Sequence, residues 1–439
     1  MKIKFDNIVK FFLISSVIGA AISYSKVYLF HISLAMLILS YLYLNNLKIK
    51  IKKLPTKLHY IFYFMFIWYF FSLIWSINKI YTLEYLFYII CGLSIVLTLV
   101  YYNDSLNKLR EIYELLGSVF IFEIIISLLE SFTNFRLPIS PFSSYVVYFG
   151  REIKYDESLP DNIIYLLRHT PTGFQWNPNN LAVTFLIIFS FFLLHKKLKM
   201  RLFGVGSLIL LIILTGSRGV FISLLTLLLV YSFLSIKRFI ILIAMSILIT
   251  LSLCTLNFSE TLEDIGFLRL KEISGSFDAV KSYLFEYNDR NGSIGIRKQL
   301  IRNGLEALKD SYFMGVGGGG SKAVNEAKGG VVGRIASMHN FWIEMLVDGG
   351  IIFFVIFISW YLYVTWKLFY INIVSKNKEL KYYSQATFLS MISFPIGAIS
   401  ASSVIYLFPM WLMYGFSISI INIWILEKWR KKNANINTW

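Results

Sequence analysis

A chain of 439 residues that is 57% hydrophobic and only 15% charged, with a mean hydropathy of +0.65, is too apolar for a soluble globular protein, in which roughly a quarter of residues are charged. The formal net charge of +17 does not point to nucleic acid, because the basic residues fall in short clusters between apolar runs, as membrane-loop anchors do. The two cysteines, Cys91 and Cys254, both lie inside apolar runs and form neither a disulfide framework nor a metal-ligand spacing.

Lys2, Lys4 and Lys10 precede a first apolar run ending near Gly19-Ala20-Ala21. That pattern is shared by cleaved signals and retained spans, and the many runs that follow favour a retained first span. Runs of roughly 17 to 25 apolar residues cross a bilayer as helices. About twelve candidates are present, at 8–24, 27–44, 59–76, 82–102, 112–132, 180–195, 202–214, 220–235, 239–257, 351–371, 384–404 and 409–426. The short loops rich in Lys and Arg, such as 48–57, 196–201 and 428–432, alternate onto one side if both termini are cytoplasmic. The expected fold is therefore all-α, a single integral membrane domain over 1–439 with about 12 transmembrane helices. Two long loops, about 133–179 and 258–349, then face outward together with Arg218 and His339.

The first long loop ends in Arg168-His169-Thr170-Pro171-Thr172-Gly173-Phe174-Gln175-Trp176-Asn177-Pro178-Asn179-Asn180, where proline fixes a turn and Asn179 or Asn180 is placed to cap the next helix. A helix start accounts for the Asn-Pro-Asn part but not for Arg168 and His169. Glu123, mid-span, is read as a functional or paired buried charge with no partner named by the sequence. Glu130 and Glu84, nearer span ends, require no special role.

Arg218 stands in the hairpin Thr215-Gly216-Ser217-Arg218-Gly219 between two spans. It is either an anchor reaching toward headgroups or, with small neighbours leaving access, a planar fork for phosphate oxygens. In the second loop Ile296, Leu300, Leu305 and Leu308 predict an amphipathic helix bearing Arg297, Lys298 and Arg302. The following Gly315-Val316-Gly317-Gly318-Gly319-Gly320 is either a flexible turn or a phosphate cradle, and it lacks the Gly-Lys-Ser/Thr of a nucleotide loop. His339, at the junction of this loop with a span, is the best general-base candidate, since a free imidazole titrates near pH 6.5. The helix after it carries Phe341, Trp342, Met345 and Leu346 as apolar bulk and Asn340, Glu344 and Asp348 on one polar stripe. It is expected to lie along the outer surface and to break at Gly349-Gly350.

In this order the motifs resemble the O-antigen ligase and polymerase superfamily: Arg168 through Asn180, Thr215 through Gly219, Arg297 leading into Gly315-Val316-Gly317, and His339-Asn340 with Glu344, Asp348 and Gly350. The resemblance covers roughly 168–353. It implies a bacterial inner-membrane, multi-pass glycosyltransferase that uses a polyprenyl-diphosphate-linked glycan at an active site on the outer face, without metal, cofactor or nucleotide sugar. It further implies that Arg218 and Arg297 hold the donor diphosphate, that His339 activates the acceptor hydroxyl, and that Arg168, Asn340 and Glu344 support them. Partners would be the lipid-linked donor, a glycan or lipid-core acceptor and membrane lipid, with no nucleic acid. A polymerase of O-antigen, capsule or teichuronic-type repeat units is the favoured activity, and a ligase moving a finished glycan to a lipid core or protein is the alternative. A transporter or flippase, which many spans would also permit, should carry its ionisable residues near the midplane on broken helices, whereas the notable charges here gather at the outer span edges.

Overall fold

The structure, a computed structural model, describes residues 5–48, 53–152, 161–234, 293–328, 336–401 and 404–436. Among them, strand is confined to the two-residue segments Ser23–Tyr24 and Val27–Tyr28, an antiparallel turn between α1 (Phe5–Ile18) and α2 (Leu29–Leu44). There follow α3 (Tyr60–Ser72), α4 (Lys79–Tyr102), α5 (Leu106–Phe132), α6 (Asp161–His169), α7 (Pro178–Leu193), α8 (Leu198–Leu214) and α9 (Arg218–Phe233). The last are α10 (Ser293–Asp310), α11 (Gly320–Ala327), α12 (Phe341–Val374), α13 (Lys378–Gly397) and α14 (Phe408–Ile436). Four of these, α4, α5, α12 and α14, are long and apolar enough to cross a membrane, and α2, α3, α7 and α9 are shorter apolar helices. The expected span at 239–257 and the loop that follows it, up to 292, lie outside the described residues.

In a membrane, helices associate through close packing and hydrogen bonds, because lipid is as apolar as leucine. Both means are visible. On α4, Gly92 receives the Trp411 ring of α14, which would lie 2.0 Å from an added Cβ. In return Gly415 of α14 receives Leu99, 2.6 Å from an added Cβ. Between α7 and α13 the Ser190 hydroxyl donates to the Ala386 carbonyl (2.7 Å) and the Ser390 hydroxyl to the Ile187 carbonyl (2.6 Å). Pro395 inside α13 has no amide to offer the Met391 carbonyl, which instead accepts from the Tyr361 hydroxyl of α12.

Contacts sort the connections onto two ends. At one end the α1–α2 turn meets the first long loop, where Arg151 Nε donates to the Ser25 carbonyl (3.0 Å). At that same end Ile77 donates to the Val316 carbonyl (3.2 Å), and Ser217 to Ser400 through their hydroxyls (3.1 Å). At the opposite end Arg110 pairs with Glu379, and Asn377 Nδ2 donates to Glu427 (3.3 Å).

Three local expectations are corrected. Asn177, not Asn179 or Asn180, caps α7, its side chain accepting from the Asn179 amide (2.8 Å) with Pro178 at the first helical position. On α10, Leu300 and Leu308 are buried as expected, but Leu305 is 41% exposed and Gly304 faces the packed side. The stripe Asn340, Glu344 and Asp348 is buried, so the first segment of α12 sits inside the protein with its polar side inward.

Candidate active site

The predicted break falls where expected: Gly350 has φ +80 and ψ 172 inside α12, so Phe341–Gly349 forms a short helix ahead of the long span. Its start is tightly specified. The Asn340 side chain accepts from the Trp342 and Ile343 amides (3.2 and 3.3 Å), an N-cap. Phe341 donates its amide to the Ala398 carbonyl (3.2 Å), and Trp342 Nε1 to the Pro395 carbonyl (2.9 Å). On the other side Met338 is buried in a second, smaller core with Leu300, Leu308, Val316, Val324 and Val347. Gly304 makes room for it, since an added Cβ would come within 2.5 Å of Met338 Cε.

His339 is held between these two anchors with φ +48, the left-handed region that side-chain-bearing residues seldom adopt. Glycine would fit the turn with less strain. A strained backbone maintained by its surroundings is a recurrent property of functional positions.

Arg218 is the first residue of α9, whose N-cap Ser217 bonds Ser400. Gly219 packs so closely there that an added Cβ would lie 3.0 Å from Ser400 Cβ. The turn at Ala398 to Ser400 thus joins the Arg218 hairpin to the start of α12 beside His339. A cation in the first turn opposes the helix dipole, and the Arg218 guanidinium has no hydrogen-bond or ion-pair partner among the described residues. Arg297, partly buried, lies on α10, about 10 Å along the helix from Gly304 at 1.5 Å per residue. Arg168 ends α6, is exposed, and its carbonyl accepts from Arg136 Nε (3.1 Å).

The glycine-rich turn is neither flexible nor an open phosphate cradle. Most of its amides are already committed. Gly319 and Ser321 donate to the two Asp348 carboxylate oxygens (2.9 and 2.7 Å), and Val316 and Gly317 donate to the Val347 and Asp348 carbonyls (2.9 and 3.0 Å). Gly317 has φ +89, and a Cβ there would lie 2.5 Å from Ser76 Cβ. Beyond the turn, Lys328 Nζ bonds Glu306 (2.7 Å) and so ties the end of α11 to α10, and with Arg302 Nε (3.0 Å) it holds that carboxyl below its usual range.

A cavity of about 230 Å³ beside this group adds residues missed in the sequence to the predicted Glu344. It lies between α4, α11 and the first segment of α12, with Ser337, Met338 and Glu344 on one wall and Tyr81, Tyr85 and Tyr88 on another. The available signal was the spacing of Tyr81, Glu84, Tyr85 and Tyr88, which puts four polar or aromatic side chains on one helix face. A larger cavity of about 450 Å³, lined by Tyr113, Phe191, His195 and Phe416, belongs to other helices and borders none of the predicted site residues.

The first long loop is also built on carboxylates. Glu130 accepts from the Thr172 and Gly173 amides (both 2.8 Å) and lies 3.7 Å from Arg136. Glu123 accepts from the Phe174 amide and Gln175 Nε2 (both 3.3 Å). Glu130, for which no special role was expected, is therefore a fully buried anchor, and Glu123 has the partner the sequence did not name. Among the described residues no three His, Cys, Asp or Glu side chains gather to hold a metal ion.

Comparison with known proteins agrees with these motifs. The O-antigen ligase family matches residues 203–358, a stretch containing Arg218, Arg297, His339, Glu344 and Gly350 but not Arg168. The teichuronic acid biosynthesis protein TuaE of Bacillus subtilis is 26% identical over 370 residues, 82% of this chain and 71% of that protein. An uncharacterized protein of Haemophilus influenzae is 28% identical over 214 residues, 46% of this chain and 52% of that protein. No solved structure matches. The resemblance carried by the motifs is thus met by a family model over residues 203–358 and by a relative aligned along most of the chain.

Proposed function

We propose that the chain is a membrane glycosyltransferase of surface-polysaccharide biosynthesis whose donor is a polyprenyl-diphosphate-linked oligosaccharide. The observation that carries the proposal is His339, held at φ +48 next to a turn that also seats an arginine with no described partner. In this scheme the His339 imidazole takes the proton of an acceptor hydroxyl while its oxygen bonds to the donor's anomeric carbon. The bond from that carbon to the diphosphate oxygen breaks. The departing polyprenyl diphosphate carries the electron pair away and is stabilised by the Arg218 and Arg297 guanidinium groups. Asn340 fixes the turn through its cap, and Glu344 faces the adjoining cavity. Arg168, at the end of α6, is assigned a supporting part.

The one-sided basic loops support a multi-pass arrangement of about twelve spans in the bacterial cytoplasmic membrane, with both termini inside and the His339 end outward. Polymerisation of repeat units is favoured over ligation, in keeping with a relative named for teichuronic acid biosynthesis. The test is incubation of the purified chain with a synthetic polyprenyl-diphosphate oligosaccharide, with products resolved on a gel. A ladder of lengthening products is expected. A single transfer to lipid core or protein gives the ligase instead, and unchanged donor with every acceptor offered refutes glycosyl transfer.

A further inference from the structure

We propose that the cavity of about 450 Å³ between α5, α7 and α14 is a binding site for one anionic phospholipid, with an acyl chain in the cavity and the phosphate on the basic turn that starts α8. The site stands apart from the transferase reading. Its volume falls inside the roughly 300–1,000 Å³ of ordinary ligand sites, and its inner wall is hydrocarbon, from Leu116, Phe120, Ile187, Leu412, Met413 and Phe416. Such a cavity does not hold water. Glu114, Ser118 and Lys197 line it and are exposed, so it opens to the outside of the bundle beside α5, a helix long and apolar enough to cross a membrane. Room is left in it: a Cβ added to Gly117, on the same wall, would meet nothing within 4 Å. A buried hydroxyl interrupts the apolar lining. Thr387 is fully buried and its Oγ1 has no hydrogen-bond partner, and an ester carbonyl of the lipid would supply the acceptor.

Charge selects the head group. The turn from α7 into α8 carries Lys196, Lys197, Lys199 and Arg201, and Lys197 lines the cavity itself. The three lysines are exposed and form no ion pair among the described residues, while Arg201 donates to the His195 carbonyl (2.9 Å). Glu114 is the one carboxylate among the lining residues, against the cations of the turn. Lys197 is also the N-cap of α8, its side chain makes no cap, and the first turn of α8 has no acidic residue. The amides that a helix start leaves unpaired and the cations beside them together call for an anion. A phosphate placed there accepts from those amides and pairs with the lysines at once. From this turn α8 runs its 17 residues, about 25 Å at 1.5 Å per residue, to the Arg218 hairpin, so this phosphate site is separate from the one read for the donor.

The experiment uses the full chain, delipidated in detergent and titrated with phosphatidylglycerol or phosphatidylcholine of the same acyl chains, and reads native mass spectra and thermal unfolding. One phosphatidylglycerol should stay bound and raise the unfolding midpoint, with phosphatidylcholine held about tenfold more weakly. Lys196→Gln, Lys197→Gln and Lys199→Gln combined should erase that difference. Gly117→Trp, which fills the cavity from a position with space to spare, should weaken both lipids about tenfold while the lipid-free protein melts no lower. Thr387→Val should weaken both by less and leave the lipid-free midpoint level or higher, since it removes an unsatisfied hydroxyl. Equal retention of the two lipids by the unmodified chain, or unmodified retention in both the glutamine and tryptophan proteins, overturns the site. Polyprenyl phosphate binding more tightly than phosphatidylglycerol gives the cavity to a carrier lipid and overturns the phospholipid assignment. Should Gly117→Trp fail to fold, the glutamine protein decides alone.

Discussion

Asp348 offers the sharpest test of how the site is held. Its carboxylate is buried, and its two oxygens take the amides of Gly319 and Ser321, both also buried. Asp348→Ala removes both acceptors at once and leaves two buried donors without partners, at about 1–3 kcal/mol each, so the loss sums to roughly 2–6 kcal/mol. Asp348→Asn keeps one amide oxygen as an acceptor and should lose about half as much. The damage should be concentrated locally, since the same turn is held to α12 by the Val316 and Gly317 amides and to the start of α4 by Thr82, whose hydroxyl donates to the Gly318 carbonyl (2.9 Å). The assay is thermal unfolding of detergent-purified protein followed by size-exclusion recovery, with limited proteolysis mapping the first cut. Alanine should lower the midpoint most, asparagine by less, and both should open the chain between α10 and α12. Equal midpoints for all three proteins would show that the amides find other partners and that the carboxylate is no latch.

His339→Ala should cost roughly two to four orders of magnitude in transfer rate while donor binding persists, and His339→Gln should be nearly as damaging, because an amide cannot accept the proton. The unmodified enzyme should lose activity as pH falls through the imidazole's titration, and a glutamine variant with substantial activity and the same acid limb would move the base elsewhere, with Glu344 next in line. Arg218→Lys should insert and fold normally, having no described partner to lose, yet lose most activity because a point charge does not reproduce a bidentate fork; near-normal product would leave Arg218 as a charge anchor. For topology, Tyr312→Cys (90% exposed) should react with an impermeant thiol reagent on intact cells and Leu47→Cys (79% exposed) only after lysis; the reverse pattern overturns the orientation.

Much of the bundle was legible because apolar run length reports helices directly: the runs at 82–102, 112–132 and 409–426 fall within α4, α5 and α14. Gly350 was legible because two glycines end an apolar helix whatever surrounds them. Tertiary context decided the rest. The polar stripe of Asn340, Glu344 and Asp348 reads as a wet face, and only the glycine-rich turn arriving from earlier in the chain explains why it is inward. Glu130 looked like an end-of-span carboxylate because its partners are backbone amides, which leave no trace in a sequence. The tyrosines of α4 were hidden by abundance: in a chain with 28 tyrosines, facing lipid is the default for any one of them.

The grip of Glu123 and Glu130 on the first long loop divides the site mechanically. Glu123 lies nine residues before the end of α5, about 13 Å down the helix at 1.5 Å per residue, and the loop follows it inward. Withdrawing Thr172 to Gln175 would strand the Glu123 carboxylate in an apolar interior, at several kcal/mol, and strip Glu130 of two amide donors while leaving it Arg136. That wall therefore moves only as α5 moves. The wall formed by α10 rests instead on its own small core around Leu300, Leu308 and Met338, tied to α11 by the buried Asn303–Asn325 hydrogen bond (3.2 Å) and the exposed Lys328–Glu306 pair. On the proposed function, that side is the one among the described residues from which clearance for a bulky lipid-linked chain is expected, as a door opens against a fixed jamb. Amide hydrogen exchange would register the asymmetry as slow exchange at Thr172 to Phe174 and faster exchange along α10, and equal protection of the two would remove the hinge.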